Sequence, residues 1–152
     1  FLGEEAVIKY AKFFRMPNIS CRFFNVYGPR LNTTGQYGAV FSNFLTQKKK
    51  KRPLTIVGNG KQTRDFIHVD DLTNAFIKLA RSNLKNRIYN LGSGKETSIN
   101  KIADIIGGKK IFIPKRPGDP NRSCANISKI KKDIKWKPRI SIIEGLDRLF
   151  HS

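Results

Sequence analysis

Short apolar runs of strand length alternate along this chain with stretches whose apolar residues recur at helical spacing. That alternation argues for an α/β arrangement rather than a bundle or a sandwich. Residues 57–72, V-G-N-G-K-Q-T-R-D-F-I-H-V-D-D-L, show it most compactly. Gly58 and Gly60 take positive φ without steric cost, so a tight, hairpin-like corner is expected after a strand at Leu54–Val57. Phe66 and His68 then alternate with Ile67 and Val69 as a short strand. Leu72, Ala75, Phe76, Leu79 and Ala80 follow at helical spacing over 71–81, with Asp70 placed to cap that helix. Between corner and strand sits Arg64, whose planar donor fork suits bidentate binding of a phosphate or carboxylate. An ion pair with Asp65 or Asp71 is the alternative reading.

The rest of the chain follows the same grammar. Residues 2–16 form a helix pattern with Leu2, Ala6, Tyr10 and Phe13 on one face and Glu5 and Lys9 as an i,i+4 pair, stopped by Met16-Pro17. The apolar pattern is already running at Phe1 with no capping residue before it, so the chain reads as a fragment that begins inside an element. Residues 19–24 read as a strand flowing into Asn25-Val26-Tyr27-Gly28-Pro29-Arg30, which leaves polar groups at its carboxyl end, where ligands bind in open α/β sheets. Residues 31–37 read as a loop. Val40, Phe41, Phe44 and Leu45 begin a helix whose solvated end is the basic run 48–52. A strand at 88–91 is broken by Gly92-Ser93-Gly94. Ser98 caps a helix at Ile99–Ile106 closed by Gly107-Gly108, and a strand at 111–113 enters the exposed turn Arg116-Pro117-Gly118-Asp119-Pro120. A short helix at Ser128–Ile134 and a final one opened by a Ser141–Glu144 capping box complete the pattern.

Composition narrows the function classes. The chain has 152 residues, 39% of them hydrophobic, enough for one domain with a real core. No run approaches the roughly 20 apolar residues of a membrane span, and F-L-G-E-E does not begin like a signal peptide, so a cytoplasmic protein with no membrane partner is expected. Cys21 and Cys124 make neither a disulfide framework nor a metal cluster and are expected as thiols. His68 and His151 suggest no metal site; His68 reads as a strand residue with a structural hydrogen bond. The net charge of +19 attracts phosphates of any kind, which keeps a basic nucleic-acid-binding module as a second function class. Gly92-x-Gly94 alone is weak evidence for dinucleotide binding, and no G-x-G-x-x-G follows a strand.

Separated blocks of this sequence resemble one family. R-F-F-N-V-Y-G-P-R at 22–30, the 57–72 stretch, Y-N-L-G-S-G at 89–94, R-P-G-D-P at 116–120 and a closing K-K-D-I-K-W-K-P stand in the order and spacing of the carboxyl-terminal half of the NAD-dependent epimerase/dehydratase family, the extended short-chain dehydrogenase/reductases. The nearest likeness is to nucleotide-sugar 4-epimerases similar to UDP-glucose 4-epimerase. The resemblance implies the carboxyl-terminal part of a Rossmann-type parallel sheet plus the smaller mixed α/β nucleotide-sugar-binding domain. Family members open with a glycine-rich NAD loop and carry a Tyr-x-x-x-Lys pair on a helix continuing as x-x-Gly-Glu, which Phe1-Leu2-Gly3-Glu4 matches. Neither the loop nor the pair occurs in these 152 residues, so no catalytic residue is assigned and the chain by itself is expected to be inactive.

What remains is a grip for the nucleotide sugar. By resemblance, Asn25 bonds the substrate near its diphosphate, Arg64 and Arg116 clamp that diphosphate, and Asp119 binds the ribose hydroxyls. Read from its residues alone, Asp119 is more often a turn former bonded to its own backbone than a ligand-binding carboxylate. The backbone around Val40 and Thr55 meets the base, while Val57 departs from the aromatic residue that commonly packs on the uracil. Phe23 and Phe24 lie near the nicotinamide of NAD, which the other half of the enzyme mainly holds. The expected function is 4-epimerisation of a UDP-sugar through a 4-keto intermediate, in a homodimer. A nucleotide-sugar 4,6-dehydratase or reductase of the same family is the nearer alternative, and nucleic acid is not the expected partner.

Overall fold

The structure, a computed structural model, describes residues 2–30 and 40–150. The loop read at 31–37, Phe1 and His151 lie outside the described residues. The elements run α1 (Leu2–Phe13), β1 (Ile19–Phe23), β2 (Asn25–Tyr27), α2 (Val40–Lys49), β3 (Leu54–Val57), β4 (Thr63–His68), α3 (Val69–Ala80), β5 (Arg87–Leu91), β6 (Glu96–Ser98), α4 (Ile99–Ile106), β7 (Lys110–Ile113), α5 (Ser128–Ile134) and α6 (Ile142–Phe150). Strand pairing is parallel for β1 with β5, β2 with β4 and β3 with β7, and antiparallel for β4 with β6. This is the α/β class that the alternation predicts, with the parallel pairing that the family resemblance implies.

Two apolar clusters hold these elements. Tyr27, Phe41, Phe44, Leu54, Ile56, Phe66, Ile102, Ile106 and Leu146 join α2, β3, α4 and α6. Ile67, Leu72, Ala75, Leu79, Tyr89, Leu91, Ile130 and Trp136 join α3, β5 and α5. Strand β4 supplies both, because successive side chains leave a strand on opposite faces: Phe66 enters the first cluster and Ile67 the second.

Several local expectations change. The strand read at 19–24 switches partners at Phe24: its amide bonds Leu91 O at 3.0 Å, and from Asn25 the chain pairs with β4 instead of β5. The Gly58–Gly60 corner is not a hairpin, since β3 and β4 pair with different strands. Its backbone is taken up instead by α4, where the Asn100 amide reaches Gly60 O at 2.9 Å and Asn100 Nδ2 reaches Asn59 O at 3.0 Å. A Cβ at Gly60, where φ is +70°, would stand 2.1 Å from Asn100 Oδ1, so only glycine fits this approach. The cap of α3 is His68 rather than Asp70. The helix already begins at Val69, and His68, the last strand residue with extended φ and ψ, accepts the Asp70 amide on Nδ1 at 3.2 Å. The Asp70 carboxylate turns outward to Arg148.

Other caps follow the sequence. Ser98 Oγ accepts the Lys101 amide, Gly107 closes α4 with φ +74°, and Ser141 Oγ accepts the Glu144 amide, although the Glu144 carboxylate turns to Arg148, so the capping box is only half made. Strand β6, hidden between the glycine turn and Ser98, is an addition that its three residues gave little pattern to reveal. The apolar face of α1 faces solvent: Leu2 is 82%, Tyr10 65% and Phe13 81% exposed, and Ala11 is its buried residue. Both cysteines are free thiols.

Candidate functional site

Between α2, β3, β4 and the 116–120 turn opens a cleft of about 670 Å³. Its walls include Asn25, Val40, Thr55, Val57, Arg64, Arg116 and Asp119, which come from β2, α2, β3, β4 and the turn after β7. All the residues that the sequence assigns to substrate therefore face one space. Phe23 and Phe24 do not line it. Phe23, at the carboxyl end of β1, is 59% exposed with its ring edge-on to Phe76 at 6.5 Å, whereas Phe24 packs against the second apolar cluster.

Arg64 is braced rather than free. Its Nη1 donates to Thr63 O at 2.8 Å and its Nη2 meets Asp119 Oδ1 at 2.5 Å, with the side chain only 14% exposed. The carboxylates expected as alternative partners are engaged elsewhere. Asp71 accepts the Arg139 and Ile140 amides, which hold the chain after Trp136-Lys137-Pro138 against α3. Asp65, fully buried, accepts Ser93 N, Ser93 Oγ, Gly94 N and Ala125 N at 2.6–3.0 Å. Asp119 likewise does not spend its carboxylate on its own turn. The turn closes through backbone, Asp119 N to Arg116 O, and the side chain crosses to Arg64.

The Gly92-Ser93-Gly94 turn acquires a different meaning here. It is a nest of donors at the end of β5, as a phosphate-binding turn would be, but the carboxylate of Asp65 fills it. A Cβ at Gly92 would stand 2.5 Å from Ala125 Cβ and 2.7 Å from Asp65 Oδ2, so the glycine makes room for both that carboxylate and Ala125.

Strand β3 gives the cleft a polar edge. The Leu54 and Gly58 amides bond to the β7 side, at Lys109 O and Ile113 O, so the backbone groups of Thr55 and Val57 point the other way. There, Gln47 accepts the Thr55 amide on Oε1 at 3.0 Å and donates from Nε2 to Thr55 Oγ1 at 2.9 Å, while Gln62 Nε2 donates to Val57 O at 2.7 Å. The Thr55 carbonyl and the Val57 amide are the groups this edge presents. Gln47, Gln62 and Phe66 line the cleft and were not singled out from the sequence. For Gln47 a signal existed, since Val40, Phe44 and Gln47 share one helical face at i, i+4 and i+7. For Asn25, Nδ2 donates to Asp65 O at 3.0 Å, which fixes the amide and leaves Oδ1 as an acceptor.

Two arginines in one cleft, lined by the amino ends of β2 and β4 and the carboxyl ends of β3 and β7, with an acidic partner and an open backbone edge, are chemically suited to a phosphorylated ligand. The sequence profile of the NAD dependent epimerase/dehydratase family matches residues 1–92, and the chain belongs to that family. It is 37% identical over 98% of its length to a putative UDP-glucose 4-epimerase of Methanocaldococcus jannaschii, covering 50% of that protein. It is also 37% identical over 86% of its length to UDP-glucuronic acid decarboxylase 1 of Xenopus tropicalis, covering 32% of it. The crystal structure of UDP-glucuronic acid 4-epimerase from Bacillus cereus, in complex with UDP-glucuronic acid and NAD, superposes with a TM-score of 0.87 at 30% identity, over 98% of this chain and 49% of that one. The chain thus spans half or less of the length of these relatives.

Proposed function

We propose that this chain supplies the nucleotide-sugar grip of an NAD-dependent nucleotide-sugar epimerase, acting at C4 of a UDP-hexose or UDP-hexuronic acid. The observation that carries the reading is the convergence of Asn25, Arg64, Arg116 and Asp119 on one cleft from separated stretches of sequence. Arg64 and Arg116 hold the diphosphate, and charge-assisted bonds of this kind contribute about 1.5–3 kcal/mol each. Asp119, steered by Arg64, accepts from the ribose hydroxyls. The Thr55 carbonyl and Val57 amide offer an acceptor and a donor to the N–H and C=O of a uracil edge. With valine at 57, the base rests on an aliphatic wall. Asn25 Oδ1 accepts from the substrate near the diphosphate.

Of the two phenylalanines read as near the nicotinamide, Phe23 offers an exposed ring at the carboxyl end of β1 on which the nicotinamide would rest, whereas Phe24 packs against the second apolar cluster. When bound, NAD supplies the hydride acceptor and donor of the reaction. No Tyr-x-x-x-Lys pair and no glycine-rich loop occur in these 152 residues, so in this reading they bind and orient the nucleotide sugar, and the chemistry needs a dinucleotide-binding portion joined to them.

The test joins the chain to such a portion and supplies UDP-glucose, UDP-N-acetylglucosamine, UDP-glucuronate and dTDP-glucose. A 4-epimer of one UDP-sugar is the expected product. A 4-keto-6-deoxy sugar from dTDP-glucose as sole product would overturn the epimerase assignment and leave the nucleotide grip standing. The UDP-glucuronic acid decarboxylase relatives favour a second reading, whose signature in the same assay is loss of carbon dioxide from UDP-glucuronate and formation of a UDP-pentose.

A further inference from the structure

We infer that Asp65 is a positioning residue for this cleft: it touches no ligand, and by anchoring Ala125 and the Gly92-Ser93-Gly94 turn it sets where the Arg116–Asp119 loop stands relative to Arg64. The inference rests on the reading of the cleft as a nucleoside-diphosphate site.

Arg64 and Asp65 are neighbours on β4, so their side chains leave the strand on opposite faces. Arg64 enters the cleft; Asp65 points away from it, fully buried. The Asp65 carboxylate is satisfied by directional donors, Ser93 N and Oγ on Oδ1 and Gly94 N and Ala125 N on Oδ2. The three bonds from backbone amides, Ser93, Gly94 and Ala125, therefore fix backbone positions as well as compensating charge.

The anchored segment is the one that carries the other half of the clamp. From Asp119 the chain turns back along β4: Thr63 donates to Asn121 O at 3.0 Å, Ser123 donates to Thr63 O at 3.2 Å, and Ala125 donates to Asp65 Oδ2 at 3.0 Å. Thr63 and Asp65 thus hold the 119–125 segment in register beside Arg64, and the 2.5 Å Arg64–Asp119 contact sits at the end of that ladder. The backbone carbonyl of Asp65 also accepts Asn25 Nδ2. Of the side chains assigned to the ligand, Asp65 thus bonds Asn25 through its main chain and reaches Asp119 through the backbone ladder.

In Asp65→Asn, the amide presents a donor to amides that are themselves donors, so either Ala125 and Gly94 or Ser93 loses its acceptor. UDP and uridine are titrated calorimetrically into the wild-type chain, Asp65→Asn and the milder Ser93→Ala, at a temperature where circular dichroism shows each folded. Because the displaced loop carries a phosphate contact, Arg116, as well as the ribose contact, Asp119, Asp65→Asn should weaken UDP binding about tenfold and uridine binding, which loses only the ribose contact, about threefold. Ser93→Ala, which removes one donor, should show the same UDP-selective loss at about threefold. A purely structural carboxylate would lower the melting temperature and leave the UDP-to-uridine ratio unchanged; that result overturns the inference. If Asp65→Asn does not fold, Ser93→Ala decides: an unchanged ratio overturns the proposal and a UDP-selective loss supports it. A wild-type chain that binds neither ligand overturns the nucleotide reading itself, and this inference with it.

Discussion

Arg64 illustrates what a single side chain can and cannot disclose. Its chemistry, a fixed charge on a planar fork, pointed to an anion, yet the residue it meets lies 55 positions away at Asp119. Placed at 14% exposure and held by Thr63 O and Asp119, it has little freedom to lose on binding a phosphate. With the chain joined to a dinucleotide-binding portion, Arg64→Ala or Arg116→Ala should weaken nucleotide-sugar binding by about 1.5–3 kcal/mol, the range of a charge-assisted hydrogen bond. Lys50→Ala, at the exposed end of the basic run, should change it by less than about 0.5 kcal/mol. Calorimetric titration of the three variants checks this, and equal small losses would mean that overall charge, not a site, attracts the ligand.

The elements were legible to the extent that their signals are local. Ser98, Gly107 and Ser141 bound their helices as the sequence indicates, because a cap is a contact between residues three or four apart. The start of α3 shows the limit: Asp70 is the better capping type, but His68 holds the cap because the strand ends there. That cap should be pH-sensitive. Burial holds the His68 imidazole below its ordinary pKa, against smaller opposing effects of Asp70 and Asp71. The unfolded chain therefore takes up a proton that the folded one resists, so the stabilisation is complete above a pH of about 6.5 and declines as pH falls toward the folded pKa. Denaturant midpoints measured from about pH 7 down to about pH 5 should fall more steeply for the wild type than for His68→Asn, which keeps an acceptor but cannot titrate there. Parallel slopes would assign the acid sensitivity elsewhere.

On the scale of the whole molecule, α1 and the net charge dominate the surface. Leu2, Tyr10 and Phe13 form an open apolar face, joined to the body through the Glu4–Arg22 ion pair. The 152-residue chain should accordingly bind the dye ANS and self-associate. A monomer that melts cooperatively with little dye binding would contradict this. The charge of +19 bears on the other function class. UDP binding that outlasts added salt, beside DNA binding that is weak or vanishes with it, is expected of a nucleotide-sugar site; tight, steeply salt-dependent DNA binding with no response to UDP would favour a nucleic-acid module.

Taken alone, the sequence determined the alternation of strands and helices, most caps, and the set of polar residues at strand ends, because periodicity, capping and turn chemistry are written within a few residues of one another. The tertiary structure alone decided which strand pairs with which. It separated β3 from β4, broke the 19–24 strand at Phe24, gave Arg64 to Asp119, and filled the glycine turn after β5 with the carboxylate of Asp65. These are contacts between residues 28 to 68 positions apart, settled by which groups must be satisfied once water is excluded, and no local pattern carries that information.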